Sequence, residues 1–428
     1  MRILSLTAGA ASMYCGSCLR DNNLAAELRR MGHDITLVPL YTPTRTDEPS
    51  ESAGAHILFG GISVYLQNQS ALFRHTPAWL DRIWDSQWAL NAAAKRSIAV
   101  DAESLGAMTV AMLEGAQGPI AREFRKLEHW LALQASGGNP PDVVTIPNTL
   151  LISLAPAIRR VYRGPIVCTM QGEDLFLNHL LEPYQSRALD LIRRQAQHVD
   201  AFIAISQSYA ALMARLLEIP PAKIFAVPPG VDPARFQPAR PSGTFRAGYL
   251  ARIAPEKGLH LLCESWRLFR EQFDGPAELH AAGYLAPEHA AYLEPLRATP
   301  DFHYHGELDL QAKVDYLASL DAFCVPSVYD DPKALYLLEA LASAVPAVAP
   351  RRMALAEHLE ACGGGLLVEP DSAPAIAAAL LRLARDPSYS RRLGFQGREG
   401  VSLYRTLRQM AENTLEVYTS LPTPSAIP

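Results

Sequence analysis

Two stretches of the chain carry residues whose types and spacing could do chemistry. "GYLARIAPEKGLHLL" sets Arg252 and Lys257 in a loop between an apolar strand and a helix. Two cations beside a helix start offer a pyrophosphate both charge-assisted hydrogen bonds and the positive end of the helix. "VPSVYDDPKALYLLEALASAVPAV" sets Asp331 after a strand and Glu339 eight positions on, in the helix that follows. Eight residues are slightly more than two helical turns, so the two carboxylates can serve opposite ends of one extended ligand. Acids that accept from hydroxyls suit a sugar at one end and a ribose at the other, with the pyrophosphate between. Surface Arg and Lys of this kind are also common as plain solvated charges. Glu339 is less easily read that way, because Leu338, Ala340 and Leu341 flank it and a buried carboxylate requires partners.

A third stretch, "TAGAASMYCGSCLRDNNLAAELRRMGHDITLVPL", holds Cys15 and Cys18 at a spacing that fits redox or metal chemistry. The other four cysteines, Cys168, Cys263, Cys324 and Cys362, are scattered singly, and no second pair stands at zinc-ligand spacing. A thioredoxin-like pair belongs to a much smaller domain than this chain offers. The stretch is therefore read as a strand-to-helix loop of small residues, with the cysteine pair incidental. Cys168 and Cys324 lie in apolar runs and are expected to act as small buried hydrophobes.

The elements that must position these residues follow from periodicity. Ile3–Leu6, Asn22–Met31 and Ile35–Leu40 read as strand, amphipathic helix and strand, a βαβ unit. Continuous apolar strands follow at Val143–Ile146, Ile166–Met170, Ala201–Ile205 and Ile224–Val227, with helices such as Tyr184–His198 and Gln207–Leu217 between them. A Pro- and Gly-rich seam, "VPPGVDPARFQPARPSGT", closes this part. The pattern then restarts with strands at Phe245–Tyr249, Ala277–Ala282, Ala322–Val325 and Ala347–Val348. Helices at Leu259–Phe269, Leu310–Ser319, Tyr336–Ser343 and Ala373–Ala384 alternate with them, the last taken as the final long helix before the tail. The fold class is thus α/β: two doubly wound Rossmann-like domains, with a cleft between the carboxyl ends of their sheets as the expected site.

Composition narrows the function further. The 428 residues are 49% hydrophobic and 19% charged, with a formal net charge of −5. That mild acidity gives no basic footprint for nucleic acid. No apolar run is long enough to span a membrane. Met1–Leu6 reads as a buried strand rather than a secretory leader, so the expected location is cytoplasmic. Residues Gly60 to Gln134 break the alternation. Tyr65, Phe73, Trp79, Trp84 and Trp88 fall there among Arg74, Arg82, Lys95 and Arg96. Aromatics at helical spacing point first to a helical insertion packed on the first domain; an acceptor-binding or membrane-surface role is the alternative.

Taken in order, the small-residue loop, "VCTMQGED", "AISQSYAALMARL", "IFAVPPGVDPARF", "YLARIAPEKG", "VPSVYDDPKALYLLEALASAVPAV" and "GGGLLVEPDSAPAIAAAL" resemble the retaining GT-B glycosyltransferases of family four. The resemblance runs over nearly the whole chain and is weakest over the insertion. It implies an acceptor-side Rossmann-like domain over residues 1–235, with a helical insertion at about 60–134. A nucleotide-sugar-binding domain would follow over 236–403, and residues 404–428 would return as a helix to the first domain. It implies that Arg252 and Lys257 grip the donor diphosphate and that Glu339 binds the ribose. Asp331 would touch the transferred sugar, and the backbone amides of Lys333, Ala334 and Leu335 would meet sugar and phosphate. Gln171, Glu173 and Asp174 stand at the family's His-Gly-x-Asp. Gly9, Gly16 and Ser17 belong to the first loop, where small residues let backbone approach ligand. The implied donor is a nucleotide-diphospho-sugar, UDP- or GDP-linked, with no cofactor and no metal. The acceptor would be a glycan, a lipid or a small molecule, with peripheral membrane contact through the insertion as an option at the inner face of the membrane.

Several positions depart from the family's pattern. Asp331 replaces a glutamate, Ala334 a glycine, Gln171 a histidine, Pro229 an asparagine and Ala251 a glycine. Gln171 can hydrogen-bond a hydroxyl but cannot carry charge or shuttle a proton. An active retaining transferase is the favoured reading. A nucleotide-sugar-binding protein with weak transfer, acting as a regulatory or partner subunit, is the alternative. A nicotinamide-dependent oxidoreductase is disfavoured because no G-x-G-x-x-G follows the first strand.

Overall fold

The computed structural model describes residues 1–9, 16–41, 50–52, 59, 101–136, 140–240 and 242–422. Cys15 and the aromatic and basic residues named between Tyr65 and Arg96 lie outside them. The chain divides into two compact units. One comprises Met1–Ile205, Ala210–Val227 and the chain from Ala411 onward; the other comprises Ser206–Tyr209 and Pro228–Met410.

The first unit is built on six described parallel strands: β1 (Arg2–Thr7), β2 (Asp34–Pro39), β3 (Val143–Ile146), β4 (Ile166–Met170), β5 (Ala201–Ala204) and β6 (Ile224–Ala226). Their order is β2-β1-β3-β4-β5-β6. The inner strands β3, β4 and β5 are buried along their whole length, which is why they read as unbroken apolar runs rather than alternating ones. Ile3 pairs with Ile35 on one side and with Val143 on the other, so the order reverses between β1 and β3. The described part of the insertion forms two helices, Ala102–Glu114 and Ala121–Ser136. They bury Val110, Leu113, Phe124 and Leu127 against the helices Tyr184–Gln195 and Leu154–Val161.

The second unit repeats the plan with β7 (Phe245–Leu250), β8 (Ala277–Ala282), β9 (Phe302–Tyr304), β10 (Ala322–Cys324), β11 (Ala347–Pro350) and β12 (Gly365–Val368). The order β12-β11-β10-β7-β8-β9 reverses between β7 and β10. In doubly wound sheets, ligands bind beyond the carboxyl ends at such a reversal.

Two expectations need correction here. The edge strands β9 and β12 are absent from the sequence reading; they are short and only partly buried, so they lack an apolar run. The helix Ala373–Arg385 is also not the last long one before the tail, because Pro387–Tyr404 follows directly. Asp386 and Pro387 look like a stop but form a start: the Asp386 side chain accepts from the Tyr389 N–H, and proline fits the first helical turn. Glycines 394, 397 and 400 make this stretch look like loop. They let the helix pack backbone to backbone, with a Cβ on Gly400 falling on the Cys362 carbonyl. The helix Leu407–Ser420 ends the described chain. Among the described residues, no helix is long and apolar enough to cross a membrane.

Candidate functional site

The loops leaving β7 and β10 meet at the reversal of the second sheet. The β7 loop turns through a 3-10 segment, Pro255–Lys257, and Gly258 then takes φ 75° to enter the helix Leu259–Arg270. A Cβ on Gly258 would fall on the carbonyl oxygen of Pro326, in the β10 loop. The Val328 N–H donates to the Glu256 carbonyl at 3.0 Å and stitches the loops together. Glycine at 258 is what lets Lys257 reach the β10 loop.

Lys257 Nζ sits 2.5 Å from Asp331 Oδ2 and donates to the Tyr329 hydroxyl at 2.9 Å. Both members of this ion pair are buried. The ammonium also lies over the rings of Tyr329 and Tyr336, at 4.8 and 5.3 Å from their centroids. The Tyr336 hydroxyl donates to Asp331 Oδ2 at 2.7 Å. On the other oxygen, Oδ1 accepts the N–H groups of Lys333 at 3.1 Å and Ala334 at 3.3 Å. Burial alone would raise the Asp331 pKa. The Lys257 charge and these hydrogen bonds outweigh it and hold the carboxyl far below the usual carboxylate range. Burial raises the Tyr329 and Tyr336 phenols, and the Asp331 charge raises them further, so both remain protonated donors.

Asp331 thus accepts four contacts on two oxygens and closes an Asx-type turn before the helix Leu335–Ala342. The resemblance gave its carboxylate to the sugar and gave the amides of Lys333 and Ala334 to the ligand. In this structure those groups hold one another. Ala334 stands at φ 47°, ψ 41°, in the left-handed region. That geometry explains a glycine at this position and costs a non-glycine residue about 1–2 kcal/mol. Arg252 is half-exposed, its guanidinium 2.8 Å from Glu256, and it adds a second cation near Tyr329. Leu335 opens the helix that carries Glu339. Glu339 is buried in a second ion pair, with Lys313 Nζ 2.6 Å from Oε1.

His358 supports the same turn from below. It is buried, and its Nε2–H donates to the Lys333 carbonyl at 3.0 Å while Nδ1 accepts from Arg405 at 3.3 Å. Burial pulls its pKa down to about 4, so the ring is neutral. Tyr329, Tyr336, Lys313 and His358 were not singled out in the sequence. The signal for Lys313 was available: a lysine on the buried face of a short helix requires an acid.

The remaining sequence candidates lie in the first unit, at the carboxyl ends of β1 and β4. Gly9 takes φ 79°. Gly16 and Ser17 open the helix Gly16–Arg30, and no described atom lies within 4 Å of where a Gly16 Cβ would stand. Glu173 is buried and ties loops together: Oε1 accepts from the Thr149 N–H at 2.9 Å and Oε2 from the Gln171 N–H at 2.6 Å. The Gln171 side chain donates to the Pro147 carbonyl at 2.8 Å and to Asp21 at 3.3 Å. Asp174 is buried at the start of the helix Asp174–Asn178. Cys18, Cys168 and Cys324 are buried, and burial raises the thiols of Cys168 and Cys324 well above their ordinary value. Among the described residues no group of three or more His, Cys, Asp or Glu is arranged to hold a metal.

Two Rossmann-like domains, each with polar groups gathered where its strand order reverses, place the chain in the GT-B class of folds. Sucrose-phosphate synthase from Thermosynechococcus elongatus matches with a TM-score of 0.68 at 17% identity, over 98% of both chains. Anabaena Alr3699/HepE, solved in complex with UDP and glucose, matches at 0.66 and 14% identity, over 98% of this chain and 100% of that one. The profile described as Glycosyltransferase Family 4 matches residues 22–235, half of the chain, and that described as Glycosyl transferases group 1 matches residues 244–386. The chain belongs to glycosyltransferase family 4.

Among curated relatives, the MMP alpha-(1->4)-mannosyltransferase of Mycolicibacterium hassiacum is 28% identical, over 54% of this chain and 56% of that one. A GDP-mannose-dependent alpha-(1-6)-phosphatidylinositol monomannoside mannosyltransferase of Mycobacterium tuberculosis is 25% identical, over 59% of this chain and 69% of that one. The chain spans little more than half the length of the first of these.

Proposed function

We propose that the protein transfers a sugar from a nucleotide-diphospho-sugar, UDP- or GDP-linked, to an acceptor hydroxyl with retention of anomeric configuration. The observation that carries this reading is Lys257, held against Asp331 and two tyrosines where the second sheet reverses. When the bond between the anomeric carbon and the phosphate oxygen breaks, negative charge gathers on the diphosphate. Lys257 and Arg252 counter that charge without a metal, in a site where burial strengthens each contact. Asp331 acts as a positioning residue: it fixes the ammonium that meets the phosphate. Glu339, oriented by Lys313, receives the ribose. Gln171, whose amide hydrogens already go to Pro147 and Asp21, accepts from a sugar hydroxyl through Oε1 but takes no proton, so the acceptor proton passes to the departing phosphate oxygen. The mannosyltransferase relatives support a hexose donor, and the acceptor is a glycan, a lipid or a small molecule.

The test is a thermal-unfolding screen against uridine, guanosine and adenosine diphosphates and their sugars, followed by transfer and hydrolysis assays with any stabilising donor. A ligand at about 100 times its dissociation constant adds roughly 2.7 kcal/mol of stability. Stabilisation by one nucleoside diphosphate with sugar release from its donor supports the reading. No stabilisation by any of them refutes it, and binding without turnover assigns the protein to donor binding alone.

A further inference from the structure

Among the described residues of the first unit stands a buried cation whose hydrogen-bonding groups are only partly met. Arg20 follows the β1 loop on the helix Gly16–Arg30 and is only 3% exposed. One guanidinium nitrogen, Nη1, lies 3.2 Å from Asp21 Oδ1, while Nε and Nη2 have no hydrogen-bond partner among the described residues. A planar guanidinium with its fork unmet is a costly group to bury, and its geometry fits two oxygens of one anion. Asp21 Oδ1 links Arg20 onward to Gln171, whose Oε1 is itself buried without a partner. Two more orphaned acceptors, Thr7 Oγ1 at the end of β1 and Asn148 Oδ1 after β3, belong to the neighbouring carboxyl ends. At these three adjacent strand ends, β1, β3 and β4, the described chain thus leaves two guanidinium nitrogens of Arg20 unmet beside a hydroxyl and two amide oxygens that can accept.

We propose that this cluster is a binding site for an acceptor that carries an anionic group, a phosphate or a carboxylate, beside its hydroxyls. Arg20 Nε and Nη2 take two oxygens of the anion, and Gln171, Asn148 and Thr7 accept from the hydroxyls. A buried donor left unmet in the free protein makes the site selective, because a neutral sugar leaves the fork unpaired. The inference rests on the transferase reading for the word acceptor; the anion preference stands on Arg20 alone.

The experiment measures affinity for glucose 6-phosphate, glucuronate and glucose by calorimetry, on the full chain saturated with the nucleoside diphosphate that stabilises it best. Wild type is expected to bind one of the two anionic sugars at least about tenfold more tightly than glucose. Whichever it prefers identifies phosphate or carboxylate as the anion. Arg20→Gln is expected to bring that ratio close to one. Arg20→Lys keeps the charge but loses the fork and should give an intermediate ratio; it carries the test if Arg20→Gln does not fold. Equal affinity for the three sugars in wild type overturns the proposal, as does a ratio that survives both substitutions. If no nucleoside diphosphate binds, the titrations are run without one. An anion preference that depends on Arg20 then leaves the site standing while the transferase reading falls.

Discussion

Asp331→Asn separates the role this structure gives Asp331 from the one its family position implies. The substitution keeps the shape of the side chain and the turn, since an amide oxygen can still accept from the Lys333 and Ala334 N–H groups. It removes the negative charge 2.5 Å from Lys257 and turns an N–H donor toward an ammonium. At that distance two unit charges attract by about 6–7 kcal/mol at an effective dielectric of 20. Much of this is offset by the desolvation of both groups, and breaking such a buried pair from one side typically costs about 3–5 kcal/mol. For a domain of 150–250 residues, each kcal/mol moves the melting temperature by about 2–4 °C, so a fall of roughly 6–20 °C is expected. On the proposed reading, a bound diphosphate returns the missing negative charge to Lys257. Nucleoside diphosphate should therefore raise the melting temperature of the variant more than that of wild type. The assay is paired thermal unfolding with and without the nucleotide. A variant that melts within about 2 °C of wild type and gains the same shift would refute the positioning role. If it also lost turnover, Asp331 would belong on the sugar instead.

Two further outcomes are expected. Glu339→Gln should raise the donor KM with little change in kcat, because the ribose does not react, and Lys313→Gln should reproduce that pattern more weakly; steady-state kinetics with a kcat loss as large as the KM gain would remove Glu339 from the ribose. His358 has an ordinary pKa of 6.5 and a folded value of about 4, so between those values the unfolded chain binds the extra proton. Stability then falls as pH drops from 7 toward 4, by up to about 3 kcal/mol from this group. His358→Gln should flatten that part of the denaturation profile, and an unchanged slope would show that the ring titrates normally.

The two-domain α/β plan was legible because a parallel sheet covered on both faces leaves apolar runs bounded by turn residues. Val143–Ile146 and Ala201–Ala204 show this most plainly. What failed to show was whatever lacks that signature. β9 and β12 are partly exposed edges, and Pro387–Tyr404 hides its helical character behind the glycines that let it pack closely. The candidate site divides the same way. Arg252, Lys257, Asp331 and Glu339 could be picked out by charge type and spacing, but spacing along the chain says nothing about which charge answers which.

That pairing changes the meaning of the residues. Read singly, Lys257 and Asp331 are a phosphate grip and a sugar contact with separate duties. Joined at 2.5 Å and braced by Tyr329 and Tyr336, they form one unit, in which the acid decides where the cation stands. The shorter side chain of aspartate matters for this reason. Its two oxygens are already used by the turn that carries it and by Lys257, so little reach remains for a sugar hydroxyl. The family's usual glutamate is longer by one methylene and presents the same charge farther from the turn. Asp331→Glu therefore asks whether a longer acid can still serve the turn and the lysine at once. It has to do so beside Ala334, whose left-handed backbone is already held by the same carboxylate.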